Sequence, residues 1–281
     1  MAVSTEKART HPLAEAEKDR PARELVVAWV FGPLARLLFP MLVRLRVPPP
    51  GVVLVHAAVG LAAALLVARG ELLAAAALLQ LKTLLDNADG LLARASGHVT
   101  LLGRYLDTEL DLLVNVAVFA ALAAVTGQPW LALAAFCTVT ALLSVDFNLA
   151  ELHREAHGRS TVLPAPSGGR VERVVERAYR IVFAPQDRVL REASERRLRH
   201  ALAGEAEPAR RQRATLAYHD RATLSFLANT GLSTQLAALG ICLAAGAPTL
   251  YLWLVLACLL PLPLLQLRRE RLVRRALEGP A

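Results

Sequence analysis

The sequence predicts an all-α integral membrane protein, with six transmembrane helices preceded by an N-terminal interfacial amphipathic helix, and three observations carry that prediction. First, 55% of the 281 residues are hydrophobic and the mean hydropathy is +0.41, well above an ordinary soluble domain. Second, the apolar residues are mainly Ala, Leu and Val with only 5% aromatics, a mixture that suits helices and not the alternating strands of a membrane barrel. Third, apolar stretches of about 20 residues, enough to cross a hydrocarbon core roughly 30 Å thick, come in pairs.

Taken in order, residues 1–23 are polar and charged and contain no apolar signal segment, so they read as a cytoplasmic tail. Residues 24–46 place Trp29, Phe31, Leu34, Leu37, Leu38, Leu42 and Leu45 among Arg36, Arg44 and Arg46. Pro33, Pro40 and the arginines favour a helix lying in the interface over a seventh span. Residues 47–151 hold four spans, near 50–68, 71–94, 100–126 and 129–150, and residues 223–266 hold two more, near 223–245 and 248–266. Each pair is joined by a minimal connector: Arg69-Gly70-Glu71, Gly127-Gln128-Pro129 and Gly246-Ala247-Pro248. Each carries the Gly or Pro that stops one helix and starts another.

Between the fourth and fifth spans, residues 152–222 form an insert with 15 Arg against 9 acidic residues. Helical periodicity recurs in it twice, through Val171, Val174, Val175, Ala178, Ile181 and Val182, and through Val189, Leu190, Ala193, Leu198 and Leu202. Two surface helices are expected there, either a solvated hairpin or a cationic cover that holds anionic lipid. Residues 267–281 form a basic tail.

Of the 32 Lys and Arg, only Arg69 lies in a tight connector and only Lys82 in the membrane interior, Arg94 and Arg104 standing at the opposite ends of their spans. The other basic residues mark the opposite side as cytoplasmic, with both termini facing inward at the plasma or inner membrane. The net charge of +8 is therefore assigned to anionic membrane lipid and not to nucleic acid. Cys137, Cys242 and Cys258 lie in apolar runs without metal-ligand spacing and are read as packing residues.

The chemistry is concentrated where the second span ends and the third begins. Asp86 and Asp89 share a face of the first of these helices, while Gly103, Asp107 and Asp111 recur every four residues and form one stripe on the second. Residues 95–99 form the hairpin that brings the two faces together. Four carboxylates beside lipid each cost up to about 2.5–3.5 kcal/mol on insertion scales, so something must neutralise them. Clustered hard oxygens suit Mg²⁺ or Mn²⁺, and four can bracket the two ions that stabilise attacking and leaving oxygens in phosphoryl transfer. Gly90, Ala93 and Gly103 leave room for a nucleotide to approach the backbone, and Arg94 offers charge to a pyrophosphate.

These residues match the signature Asp-x2-Asp-Gly-x2-Ala-Arg-x8-Gly-x3-Asp-x3-Asp at every fixed position. With each of eight identities at about 5–10% background, chance agreement is roughly one in a billion per start position. The stretch resembles the CDP-alcohol phosphotransferase (CDP-alcohol phosphatidyltransferase) family. The resemblance implies six spans, a preceding amphipathic helix and a homodimer. It also implies two divalent ions on Asp86, Asp89, Asp107 and Asp111, CDP contacts from Asp86, Gly90, Ala93 and Arg94, and Asp111 as general base. The expected reaction takes a phosphatidyl-type group from a CDP-linked lipid donor to a small alcohol acceptor and releases CMP. One alternative passes a phosphoalcohol from a CDP-alcohol to a lipid hydroxyl. A remoter one, a divalent-cation transporter, would spread its acids through the bilayer depth.

Around this core, Lys82 lies one turn before Asp86 and is expected to pair with it or to touch phosphate. Asn115 continues the Asp107, Asp111 stripe as a hydrogen-bonding or packing residue. Glu109 lies off the stripe and is not expected to bind metal. Asp146, Asn148, Glu151 and His153 gather at the inner end of the fourth span, where an acceptor head group could be read, but ordinary interfacial polarity is the preferred reading, and His56 reads as an isolated packing or hydrogen-bonding residue. Many relatives open the first span with Pro-Asn-x-x-Thr, where this chain has Pro50-Gly51-Val52-Val53-Leu54, so acceptor identity does not carry over from them.

Overall fold

Three reversals set the frame. Gly70, Gly127 and Gly246 each take a left-handed conformation, with φ of 78°, 64° and 67°, and each lets a span end and the chain turn back within a few residues. The computed structural model describes residues 22–97, 99–159, 169, 173–174, 176–177 and 183–278, and among them every regular element is a helix. They are α1 (Val27–Arg44), α2 (Pro49–Ala68), α3 (Leu72–Ala95), α4 (Leu101–Thr126), α5 (Pro129–Ala156), α6 (Ala184–Ala201), α7 (Pro208–Tyr218), α8 (Arg221–Ala228), α9 (Leu232–Ala244), α10 (Pro248–Ala257) and α11 (Pro261–Glu278). The protein is a multi-pass membrane protein, with six helical stretches long and apolar enough to cross a bilayer.

Those stretches include α1 and leave out α3, whose apolar run is interrupted by Lys82, Asp86 and Asp89. Yet α3 lies at the centre of the bundle, packed against α1, α2 and α9. Its neighbours supply the shielding that its own composition lacks. Because lipid tails are as apolar as leucine, such helices associate by close fit and not by escape from water. Their contacts accordingly run through small residues: Ala57, Ala63 and Ala64 of α2, Ala75 and Ala76 of α3, Ala121 of α4, and Ala132 and Ala135 of α5 are all buried. One close approach is at Gly60 of α2, where a Cβ would stand 2.6 Å from Val114 Cγ1 of α4. Large apolar side chains such as Leu54, Leu65, Leu73, Trp130 and Ile241 face outward, as expected of a lipid-facing surface.

The N-terminal helix α1 opens with a π-helical turn over Val27–Phe31, just before Pro33. Its Ala35 and Leu42 rest on Ala88 and Leu92 of α3 and on Val52 of α2, so α1 covers the end of α3 that carries the acids. The residues before α1 tie into a break in the fifth span, where α8 gives way to α9 at residues 229–231. There Glu24, only 6% exposed, accepts hydrogen bonds from Thr234 N at 2.7 Å and Thr234 Oγ1 at 2.8 Å. A carboxylate at a helix N-terminus satisfies its free N–H groups and meets its positive end. The sixth span breaks likewise before Pro261, and α11 then continues to Glu278, so most of the expected basic tail is helical.

The described part of the insert is docked. Helix α6 matches the second expected amphipathic segment, α7 is an addition to the expectation, and both pack on α11, with α6 also against α5. Nearly all of the first expected segment, and residues 1–21, lie outside the described residues. At the junction, Arg269 of α11 is 5% exposed and reaches Tyr218 O at 3.0 Å, Gln266 Oε1 at 3.1 Å and Ser194 Oγ at 3.3 Å. Its guanidinium also sits 3.8 Å from the Tyr218 ring centroid. The polar end of α5 joins the same assembly. Asn148 Nδ2 donates to Asp187 Oδ1 at 2.7 Å, His153 Nδ1 donates to His219 O at 2.5 Å, and Arg191 grips Glu155 through two 2.9 Å bonds. Asn148 and His153, expected to be ordinary interfacial polarity, thus hold the insert.

Candidate active site

The site is assembled where the C-terminal turns of α3 face the N-terminal turns of α4, with the first turns of α2 alongside. Thr100 caps α4, its Oγ1 accepting from Gly103 N at 3.0 Å. That cap fixes where the helix starts and hence the direction in which Asp107 and Asp111 project. On α3, Gly90 leaves the space that Arg94 occupies: a Cβ there would lie 3.1 Å from Arg94 Nη1. Ala93 and Gly103 are part-exposed on the same rim.

Two subsites result. In the first, His56 of α2, fully buried, directs Nε2 to within 3.0 Å of Asp89 Oδ2 and 3.4 Å of Asp107 Oδ1. Neither contact has hydrogen-bond geometry, and His56 Nδ1, His56 Nε2, Asp89 Oδ2 and Asp107 Oδ1 are all buried without a hydrogen-bond partner. With Asp86, these groups each offer one ligand atom within 4.8 Å of the others. In the second subsite, Lys82, 1% exposed, places Nζ 2.5 Å from Asp111 Oδ1 and 3.9 Å from Asp86 Oδ2. The expected partner Asp86 is within reach, but the closer one is Asp111 on the facing helix. An ammonium buried this deeply is tolerable only beside opposite charge.

The donor chemistry fits a divalent cation. Polar atoms that are buried and unpaired are rare because each costs about 1–3 kcal/mol. Here several such atoms converge on one point, and all of them belong to residue types that ligate metals. Asn115 is buried one turn beyond Asp111. Glu109 Oε1 is also buried without a partner, but it lies outside this cluster.

Residues 49–186 match the family model of the CDP-alcohol phosphatidyltransferases. The chain carries a CDP-alcohol phosphatidyltransferase domain. Members of this family are transferases of substituted phosphate groups that act on CDP-alcohols and use divalent metals, and the membrane helices and the His/Asp cluster of this chain agree with that class. Comparison with curated proteins and with solved structures finds no match. The matched segment begins with α2, includes both acid-bearing helices and ends in the first turn of α6.

The four aspartates singled out by spacing lie at one end of the α3–α4 pair, three of them in the metal-competent group and Asp111 on Lys82. His56 had been read as isolated, and it is not. It lies thirty residues before Asp86 in sequence, and only the packing of α2 across α3 and α4 carries its ring to the acids. One signal pointed to it: an ionisable side chain inside an apolar span is a functional candidate by default.

Proposed function

We propose that the protein transfers a phosphatidyl-type group from a CDP-linked lipid, of the CDP-diacylglycerol kind, to the hydroxyl of a small alcohol such as glycerol phosphate, inositol phosphate or serine, releasing CMP. What carries this reading is the convergence of Asp86, Asp89, Asp107 and Asp111 at one end of an otherwise apolar helix pair, beside the Arg94 guanidinium that lies over Gly90. A transporter would place its acids along the bilayer depth. These are gathered at a single end.

In this scheme Asp86, Gly90, Ala93, Arg94 and Gly103 receive the CDP moiety, with Arg94 against the pyrophosphate. Asp111 removes the proton of the acceptor hydroxyl as its oxygen bonds to the phosphorus on the lipid side of the pyrophosphate. The phosphorus–oxygen bond to CMP breaks, and CMP departs with the electron pair. Lys82 acts through Asp111, holding the carboxylate in place and offsetting its charge at a depth where water does not. Two divalent ions, Mg²⁺ or Mn²⁺, held by the four aspartates would supply Lewis-acid stabilisation of the phosphate charges. Most of the rate comes from positioning and electrostatics, as is usual for phosphoryl transfer. The distribution of Lys and Arg supports a cytoplasmic site and cytoplasmic termini at the plasma or inner membrane, and we assign the working unit as a homodimer.

The test uses purified protein, Mn²⁺, labelled CDP-diacylglycerol and a panel of alcohols, with CMP release followed directly. CMP formed only from CDP-linked small alcohols and a lipid acceptor assigns the reverse donor arrangement, in which a phosphoalcohol moves to a lipid hydroxyl. If no CDP donor yields CMP and Asp111→Asn behaves as the parent, the enzymatic reading is wrong.

A further inference from the structure

We infer that His56 is a direct metal ligand, and that its imidazole makes one of the two ion positions an N,O site that prefers transition-metal divalent cations over Mg²⁺. The inference rests on the metal-dependent reading of the site given above. It goes beyond the four-aspartate set by adding a donor from a third helix and an ion preference.

The first argument is geometric. Neighbouring ligands of an ion bound at about 2.0–2.1 Å stand roughly 3.0 Å apart in octahedral and 3.4 Å apart in tetrahedral coordination. The distances from His56 Nε2 to Asp89 Oδ2 and Asp107 Oδ1 are 3.0 and 3.4 Å, and neither contact is aligned as a hydrogen bond. Both separations from the imidazole nitrogen fall in the range found between ligands of one ion, and all four residues offer a ligand atom within 4.8 Å of the others.

The second argument is burial. His56 is 0% exposed, and both of its ring nitrogens lack a hydrogen-bond partner. A ring serving only to fill space would be replaced at lower cost by an apolar side chain of similar volume. The small residues around it act in the same direction. Gly60, one turn further along α2, lets α2 approach α4 closely, and a methyl group there would press on Val114. That approach draws the His56 end of α2 toward Asp107 of α4.

The third argument concerns the two subsites. Asp111 is engaged by the Lys82 ammonium at 2.5 Å, whereas the group able to hold an ion with single ligand atoms within 4.8 Å consists of His56, Asp86, Asp89 and Asp107. The two ion positions therefore differ chemically, one with a nitrogen donor and one beside a fixed cation. Imidazole binds Mn²⁺, and Co²⁺ more strongly still, in preference to Mg²⁺, which favours an all-oxygen shell.

The experiment is pulsed electron paramagnetic resonance on the full-length protein in lipid nanodiscs, loaded with Mn²⁺ alone. The parent should show nitrogen modulation of the Mn²⁺ echo that changes when histidine is ¹⁵N-labelled, and His56→Gln should abolish it. In equilibrium titrations His56→Gln should weaken Mn²⁺ about tenfold or more, a loss at least as large as that from removing an outer partner of a ligand, while Mg²⁺ binding changes far less. The parent spectrum alone decides the matter even if the variant folds poorly. If Mn²⁺ binds and Asp89→Asn removes it, but no nitrogen modulation is seen, His56 is a counter-ion and the inference fails while the metal-dependent enzyme stands. Modulation that survives in His56→Gln also overturns the inference. If the parent binds no Mn²⁺ at all, both readings fall together.

Discussion

Two clusters of buried polar residues lie in this molecule, and they are finished to different degrees. Around Arg269, where the insert meets α11, the guanidinium has an acceptor for each of its three nitrogens and a ring beneath it. Around His56, the ring Nε2 faces Asp89 Oδ2 and Asp107 Oδ1 with no hydrogen bond among them. Both clusters incur a desolvation cost, but only the first offsets it with hydrogen bonds. A completed network holds two parts of a protein together, whereas an incomplete one of metal-ligating groups waits for something the chain does not itself provide. Lys82 and Asp111 stand between the two types: a closed ion pair, yet inside the reactive region.

The largest effect that separates the clusters should be on chemistry. Asp111→Asn is expected to lower CMP release about 10²- to 10⁴-fold, the usual contribution of a positioned base. Arg269→Met should leave the rate per folded molecule close to that of the parent, and equal losses in both would erase the distinction. Next in size is the ion pair. Lys82→Met leaves Asp111 charged and uncompensated and should cost about 3–5 kcal/mol of stability, measured by unfolding in mild detergent. The double variant Lys82→Met/Asp111→Asn should recover most of that loss, and failure to recover it would show that Lys82 stabilises by some other contact. Arg269→Met should cost about 2 kcal/mol, from charged hydrogen bonds lost and a Tyr218 carbonyl left without its donor. It should also speed tryptic cleavage within α6 and α7. The smallest change is expected for Arg191→Ala, about 0.2–1 kcal/mol, because its pair with Glu155 is largely exposed.

How far the sequence could be read depended on how local the information was. Asp86, Asp89, Asp107 and Asp111 lie within about three helical turns of a hairpin, so spacing alone placed them on facing stripes. The three glycine connectors were equally legible, because a reversal within a few residues demands a particular backbone conformation. His56 was not legible as a neighbour of the acids, since its place there is set by the crossing of α2 over two other helices. Nor was the partner of Lys82: periodicity offers Asp86 one turn away, and only the α3–α4 packing reveals Asp111 as the closer one. The breaks in the fifth and sixth spans went unseen because hydropathy continues through them, although Gly231 and Pro261 mark both positions.

The three connectors also have a mechanical consequence. Each pair of spans is pinned at the end remote from the acids, so relative motion within a pair is a rotation about a glycine, and the reactive groups ride at the tips of the arms. Roughly 30 Å of helix lies between Gly127 and Asp107, so a splay of about 4° at that pivot displaces the carboxylate by about 2 Å. That is the difference between holding an ion and missing it. Stiffening a pivot on one face of the membrane is thus a way to retune the grip on the other, without altering any residue that touches the ion.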